Sequence, residues 1–176
     1  MRSVKVWDPL VRLLHWGTAV LFLADFWVFE EGGTHNTIGY VLFALVLIRL
    51  LWGLIGTKYA RFNAFWPSLS EIKAHAKGFF TGGYNEQHLS HNPLGAVMAI
   101  NLLATLALIS ITGILMEPYA FGDVDLIEGV HTLLADYAIV CVVLHIAGAL
   151  FESRRTKSKL VRAMITGRKD ISDHGS

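Results

Sequence analysis

The sequence predicts an all-α membrane protein, a bundle of four transmembrane helices, and three observations carry that expectation. Of its 176 residues, 53% are hydrophobic and only 16% are charged, with a mean hydropathy of +0.48. A soluble domain of this size needs a more polar surface. Four apolar stretches are each long enough to cross a hydrocarbon layer about 30 Å thick. Finally, 13 of the 15 Lys and Arg residues lie in the N-terminal arm, the segment between the second and third stretches, and the tail. Arg12 and Arg49 lie toward the ends of their stretches that adjoin those segments.

The first span is expected over residues 9–29, where Asp8-Pro9 places a capping side chain before a proline at the first helical position. No small-residue cleavage site follows it, so it is expected to stay in the membrane. The second span is read as 35–55, capped by Thr34 after the Gly32-Gly33 break. Ser68-Leu69-Ser70-Glu71 then reads as a capping box opening a short helix over 69–80. With Lys73, Lys77, Phe79 and Phe80, that helix lies on the membrane surface or forms an ordinary solvated connection. The third span, 93–116, begins with Asn92-Pro93. The fourth, 129–151, follows Asp125 and Glu128, which resemble a capping box. A tail segment around 160–165 is a second candidate for the membrane surface. No internal repeat divides the chain, so residues 1–176 read as one domain.

Orientation follows from the charges. Arg2, Lys5 and Arg12 precede or open the first span. Lys58, Arg61, Lys73 and Lys77 lie between the second and third. Arg154, Arg155, Lys157, Lys159, Arg162, Arg168 and Lys169 follow the fourth, and Arg49 lies near the inner end of the second. The other two loops carry Glu30, Glu31, Glu117, Asp123, Asp125 and Glu128 instead. Both termini are therefore expected in the cytoplasm. A net charge of +1 gives no reason to expect a nucleic-acid partner. The single cysteine, Cys141, excludes an intramolecular disulfide and reads as a small buried apolar residue. No Cys-x-x-Cys-His motif is present, so any haem would be held non-covalently.

Four histidines fall at matched depths in these spans. His131 and His145 are 14 residues apart on one expected helix, which separates them by about 21 Å and points them within about 40° of each other. His15 lies six residues inside the cytoplasmic end of the first helix, and His145 six residues before that end of the fourth. His35 and His131 open their helices at the outer face. Depth therefore pairs His15 with His145 inside and His35 with His131 outside. Each pair can supply two axial nitrogens to one haem iron, a six-coordinate arrangement suited to electron transfer because no position is left for substrate. Ionisable groups inside a membrane are costly, and four paired by depth favour a cofactor over structural or proton-relay roles. Imidazole also suits copper or zinc, but two histidines per level without thiolate or clustered carboxylate make a poor site for either.

Gly17, Gly39, Gly113 and Gly148 would allow a flat macrocycle to approach the backbone, although small residues also pack transmembrane helices. Arg49, 14 residues after His35, and Arg12, one turn before His15, are candidates to pair with propionates of an inner haem. For Arg49 the alternative is a helix-end side chain reaching the lipid headgroups. His75, His88, His91 and His174 read as solvated. Asp25 and Asp136, in the outer halves of their helices, read either as part of a proton route with Glu30 or as hydrogen-bonding groups between helices.

With these residues identified, the chain resembles the bacterial cytochrome b561 family, especially the b-type cytochrome subunits of nickel-iron hydrogenases. The resemblance runs through VWDPLVRLLHW at 6–16, HNTIGY at 35–40, IRLLWGLIG at 48–56, HNPLGA at 91–96, HTLLADYAIVCVVLHIAG at 131–148 and LVRAMITGRK at 160–169. It implies a multi-pass protein of the bacterial inner (cytoplasmic) membrane, with four helices enclosing two b haems held by His15, His145, His35 and His131. It also implies electron transfer between a periplasmic redox partner, such as a cytochrome c, and quinone as exchangeable substrate. A stand-alone superoxide oxidase or quinone reductase of the same fold is the alternative. The acidic outer loops count against superoxide and suit a basic partner. A haem-free anchor or transporter would be the reading from another class. A bundle of this kind could also form a homodimer.

Overall fold

The computed structural model describes residues 2–29, 31–81, 91–116 and 123–171. In chain order it comprises strand β1 (Arg2–Lys5), helix α1 (Pro9–Trp27), helix α2 (Gly32–Ile55), a 3-10 turn (Phe62–Ala64), helix α3 (Leu69–Thr81), helix α4 (Pro93–Leu115), helix α5 (Val124–Arg155), helix α6 (Leu160–Thr166) and strand β2 (Arg168–Ile171). Helices α1, α2, α4 and α5 are long and apolar enough to cross a membrane. The protein is an all-α membrane bundle with four spanning helices.

Local chemistry sets most of the boundaries. The Asp8 carboxylate accepts from the Val11 amide at 2.9 Å, and the Asn92 side chain accepts from the Gly95 amide at 2.7 Å. Each satisfies one of the amides that a helix start leaves without an intrahelical partner. The capping box on α3 is closed in both directions. Glu71 Oε2 accepts from the Ser68 amide at 2.7 Å, and Ser68 Oγ accepts from the Glu71 amide at 3.2 Å.

Four expected boundaries move by two residues or more, among them the end of α5, at Arg155 rather than 151. Helix α1 ends at Trp27 rather than 29. Helix α2 starts at Gly32, so Thr34 lies inside it and Glu31 holds the cap position without a side-chain bond. Helix α5 begins at Val124, five residues before the apolar stretch, because the Asp123 carboxylate caps it through the Leu126 amide at 3.2 Å. Asp125 and Glu128 are therefore inside the helix, and His131 is two turns in rather than in the first turn.

Helix α1 packs on α2, α2 on α4, and α4 on α5. Mid-bundle, Phe22, Leu42 and Ala138 form a buried cluster, with Leu106 and Ile109 packed against it. Many outward side chains, such as Leu13, Val20, Leu51, Leu133 and Val143, stay exposed. That is ordinary for helices whose outer faces meet lipid.

One end of the bundle carries both termini, joined in a way the sequence pattern did not announce. Strands β1 and β2 pair antiparallel, with Ser3 opposite Asp170 and Val4 opposite Lys169. The Val6 and Trp7 amides both donate to the Gly167 carbonyl, at 2.9 and 3.1 Å. Gly167 closes α6 with φ +79°, and a Cβ there would meet the Trp7 carbonyl oxygen at 2.6 Å. Only glycine satisfies both conditions. Beneath this clasp, Val6, Trp7, Val11, Ala60 and Ala163 make a second buried cluster.

Candidate functional site

The structure brings the four histidines together in the pairs that depth suggests. His15 of α1 faces His145 of α5 at the termini-bearing end, with ring centroids 6.2 Å apart. His35 of α2 faces His131 of α5 at the far end, with centroids 6.1 Å apart. Helix α5 thus contributes to both levels, and the fully buried Ala138 lies halfway between its two histidines. Phe22 and Leu42 from the opposite helices complete an apolar partition between the levels.

A metal bonds imidazole nitrogen at about 2.0 Å, so two rings sharing one metal atom stand about 6 Å apart, centroid to centroid. Both observed spacings match that figure. Among the described residues, no group of three or more His, Cys, Asp or Glu could hold a bare ion. Two imidazoles per level suit a metal whose remaining ligands arrive with it, as in a haem.

Hydrogen bonds fix the far-end rings. His35 Nδ1 lies 3.1 Å from the Phe29 carbonyl oxygen and 3.2 Å from Asp25 Oδ2. A carbonyl can only accept, so Nδ1 carries the proton and the Nε2 lone pair is left for a metal. His131 Nδ1 lies 3.0 Å from Thr112 Oγ1. The Thr112 hydroxyl donates to the carbonyls of Leu108 and Ile109, at 3.0 and 2.9 Å. It therefore accepts from His131, which again leaves Nε2 available.

These rings stand at a cavity of about 340 Å³ lined by residues of all four spanning helices, among them Asp25, Gly39, Tyr40, Gly113 and Ala135. A Cβ added at Gly39 would meet nothing within 4 Å, whereas one at Gly113 would come within 3.4 Å of His131 Cε1. Glycine keeps space at the first position and lets α4 approach the ring at the second. Gly17 makes ordinary contact with Leu45, and Gly148 meets nothing within 4 Å.

The termini-bearing level is basic. Arg12 and Arg49 each bury one guanidinium nitrogen, Nε and Nη1 respectively, without a hydrogen-bond partner. Arg49 Nη2 donates to the Ala60 carbonyl at 3.2 Å, and its guanidinium sits 5.2 Å from the Phe62 ring centroid. The side chain therefore turns into the protein rather than out toward headgroups. Buried donors without acceptors suit an anionic group such as a propionate.

Asp8, beside this region, accepts from Trp52 Nε1 at 3.0 Å and from the Thr57 hydroxyl at 2.6 Å as well as capping α1. Partial burial opposes its ionisation, but these hydrogen bonds prevail and hold the carboxyl below its usual range.

Two histidines read as solvated prove otherwise, His75 being buried and His91 half-buried. His75 on α3 is 1% exposed. His91 packs against Trp7 and Phe65, with ring centroids at 4.9 and 4.5 Å. Burial, reinforced by the positive charge of Arg49 and Lys169, pushes its pKa down to about 3. The aromatic residues that partly cover His91 lie far away in sequence, so no local pattern marked it. His88, His174 and Glu30 lie outside the described residues. Cys141 is buried as expected and accepts from Asn101 Nδ2 at 3.3 Å. Asp25 is buried on α1, while Asp136 is exposed.

A family model described as prokaryotic cytochrome b561 matches residues 6–167. No curated protein and no solved structure matches the chain.

Proposed function

The chain belongs to the prokaryotic cytochrome b561 family, and on that premise we propose that it is a two-haem electron carrier linking an external redox partner to membrane quinone. Family membership makes it a membrane cytochrome of the b type, active in electron transfer. Two paired histidine sites, with centroids 6.2 and 6.1 Å apart, carry the finer reading. His15 and His145 would hold one haem b, and His35 and His131 the other. Haem b bound between two imidazoles supplies one-electron exchange with no open position for substrate.

The chain's own residues do the rest. Thr112 holds His131 with Nε2 presented, and the Phe29 carbonyl does so for His35. Phe22, Leu42 and Ala138 keep water from the space between levels. Arg12 and Arg49 would neutralise propionates at the basic level, since both bury guanidinium nitrogens without acceptors. Lysine and arginine on the termini-bearing side support a reading with both ends in the cytoplasm and the His35–His131 level toward the periplasm of the inner membrane.

The far end displays Glu31, Asp123, Asp125 and Glu128, all exposed. That charge steers a basic protein such as a cytochrome c toward the outer level and repels superoxide, an anion. The electron-carrier reading is favoured over a superoxide oxidase for this reason.

Detergent-purified protein is expected to contain two b haems per chain, with a reduced spectrum that carbon monoxide leaves unchanged. His35→Ala or His131→Ala should remove one haem and spare the other. Retention of both at full occupancy would mean that the far-end ligands are wrongly assigned.

A further inference from the structure

We propose that Asp25 is a positioning residue for His35, and that it lowers the reduction potential at the far-end level relative to the termini-bearing one. The proposal rests on the reading of His35 as an iron ligand. It starts from a geometric fact. Asp25, only 9% exposed, sits near the end of α1 with Oδ2 3.2 Å from His35 Nδ1. Its Oδ1 is buried with no hydrogen-bond partner. A carboxylate inside a membrane span is costly and faces a group that can use it. Here that group is one imidazole N–H, shared with the Phe29 carbonyl at 3.1 Å.

A carboxylate accepting from Nδ1 does two things. It holds the ring in one tautomer and one orientation, so that Nε2 is the only free nitrogen. It also raises the basicity of Nε2, by drawing the Nδ1 proton toward itself. A more basic ligand stabilises the higher oxidation state of a bound metal, and this lowers the potential.

The far-end pair is asymmetric in this respect. Opposite His35, His131 makes the equivalent bond to a neutral hydroxyl, Thr112 Oγ1 at 3.0 Å. A bond to an ionised acceptor is roughly twice as strong as a neutral one. At the other level, no carboxylate contacts His15 or His145 among the described residues. Instead Arg12 and Arg49 lie there with buried donors lacking acceptors. One level thus has a buried negative group on a ligand and the other has buried positive groups. Both differences pull the far-end potential down relative to the inner one.

The test is spectroelectrochemical titration of the full chain in detergent, with haem per polypeptide and low-spin ferric electron paramagnetic resonance measured on the same samples. His35→Ala first identifies the far-end wave as the one it removes. Asp25→Asn, which keeps shape and an acceptor oxygen but loses the charge, is expected to retain both haems. It should move the far-end wave to higher potential, shift its resonance, and leave the inner wave in place. Asp25→Glu should return that wave toward the wild-type position, and Thr112→Val should move it less than Asp25→Asn does. Unchanged waves in Asp25→Asn, or an equal shift of both, would overturn the positioning role while leaving the ligands intact. Should Asp25→Asn lose the far-end haem, Asp25→Glu decides. Recovery of the wave sustains the role, and continued loss overturns it. Two intact waves in His35→Ala would overturn the ligand reading, and this proposal with it.

Discussion

A histidine's partners decide what it can do, and here they differ sharply between residues of the same type. His35 and His131 have Nδ1 engaged by acceptors and Nε2 left over. His91 is enclosed by the Trp7 and Phe65 rings. The ligand candidates were visible in the sequence because helical periodicity converts a spacing of 14 residues into a shared face. His75 and His91 were not, since their burial depends on how connecting segments fold back. At this scale Gly113 gives a direct test. A Cβ there already stands 3.4 Å from His131 Cε1, so the two methyl groups of valine would crowd the ring and displace it. Gly113→Val should sharply lower far-end haem occupancy and leave the haem of the other level in place.

Helix ends were the part of each element that local chemistry decided most cleanly. Asp8 and Asn92 cap the helices they precede. Helix α5 exceeds the apolar stretch at both ends, because hydropathy marks what lies in lipid and not where backbone hydrogen bonding stops. Asp8 also ties α1 to the end of α2 through Trp52 and Thr57. Replacing it with alanine removes a cap worth about 1 kcal/mol and leaves the Trp52 N–H without its acceptor, a loss of a further ~1 kcal/mol. Thermal unfolding of Asp8→Ala should show a lower midpoint. The pH dependence follows from the lowered pKa. Asp8 is ionised in the folded state to lower pH than in the unfolded one, so its contribution is complete above about pH 4 and is lost as pH falls through the folded value. Wild-type stability should therefore fall more steeply below pH 4 than that of the alanine variant.

For the whole molecule, the termini-bearing end acts as a clasp. The strand pair, Gly167, the Val6–Trp7 segment and the loop after α2 converge on one buried cluster. His91 is wedged against it, with Arg49 and Lys169 as positive neighbours. Its pKa lies near 3 in the folded protein and at about 6.5 when unfolded. Between those values the unfolded chain binds the extra proton, so stability is complete above about pH 6.5 and declines as pH falls toward 3. Melting curves at pH 7.5 and 5 should show the lower midpoint at pH 5, with the difference reduced in His91→Gln. Equal differences in the two proteins would mean that His91 does not carry the effect.

The sequence by itself determined four spans, their alternation of basic and acidic ends, and the pairing of His15 with His145 and His35 with His131. All of these follow from short-range periodicity and from the cost of charge in hydrocarbon. Only the tertiary structure decided that β1 and β2 pair, that His91 packs between Trp7 and Phe65, that Arg49 turns inward, and that Asp25 on α1 reaches His35 on α2. The first two depend on segments far apart in the chain arriving at one place, and the last two on how the connections after α1 and α2 turn back, which helical periodicity does not encode.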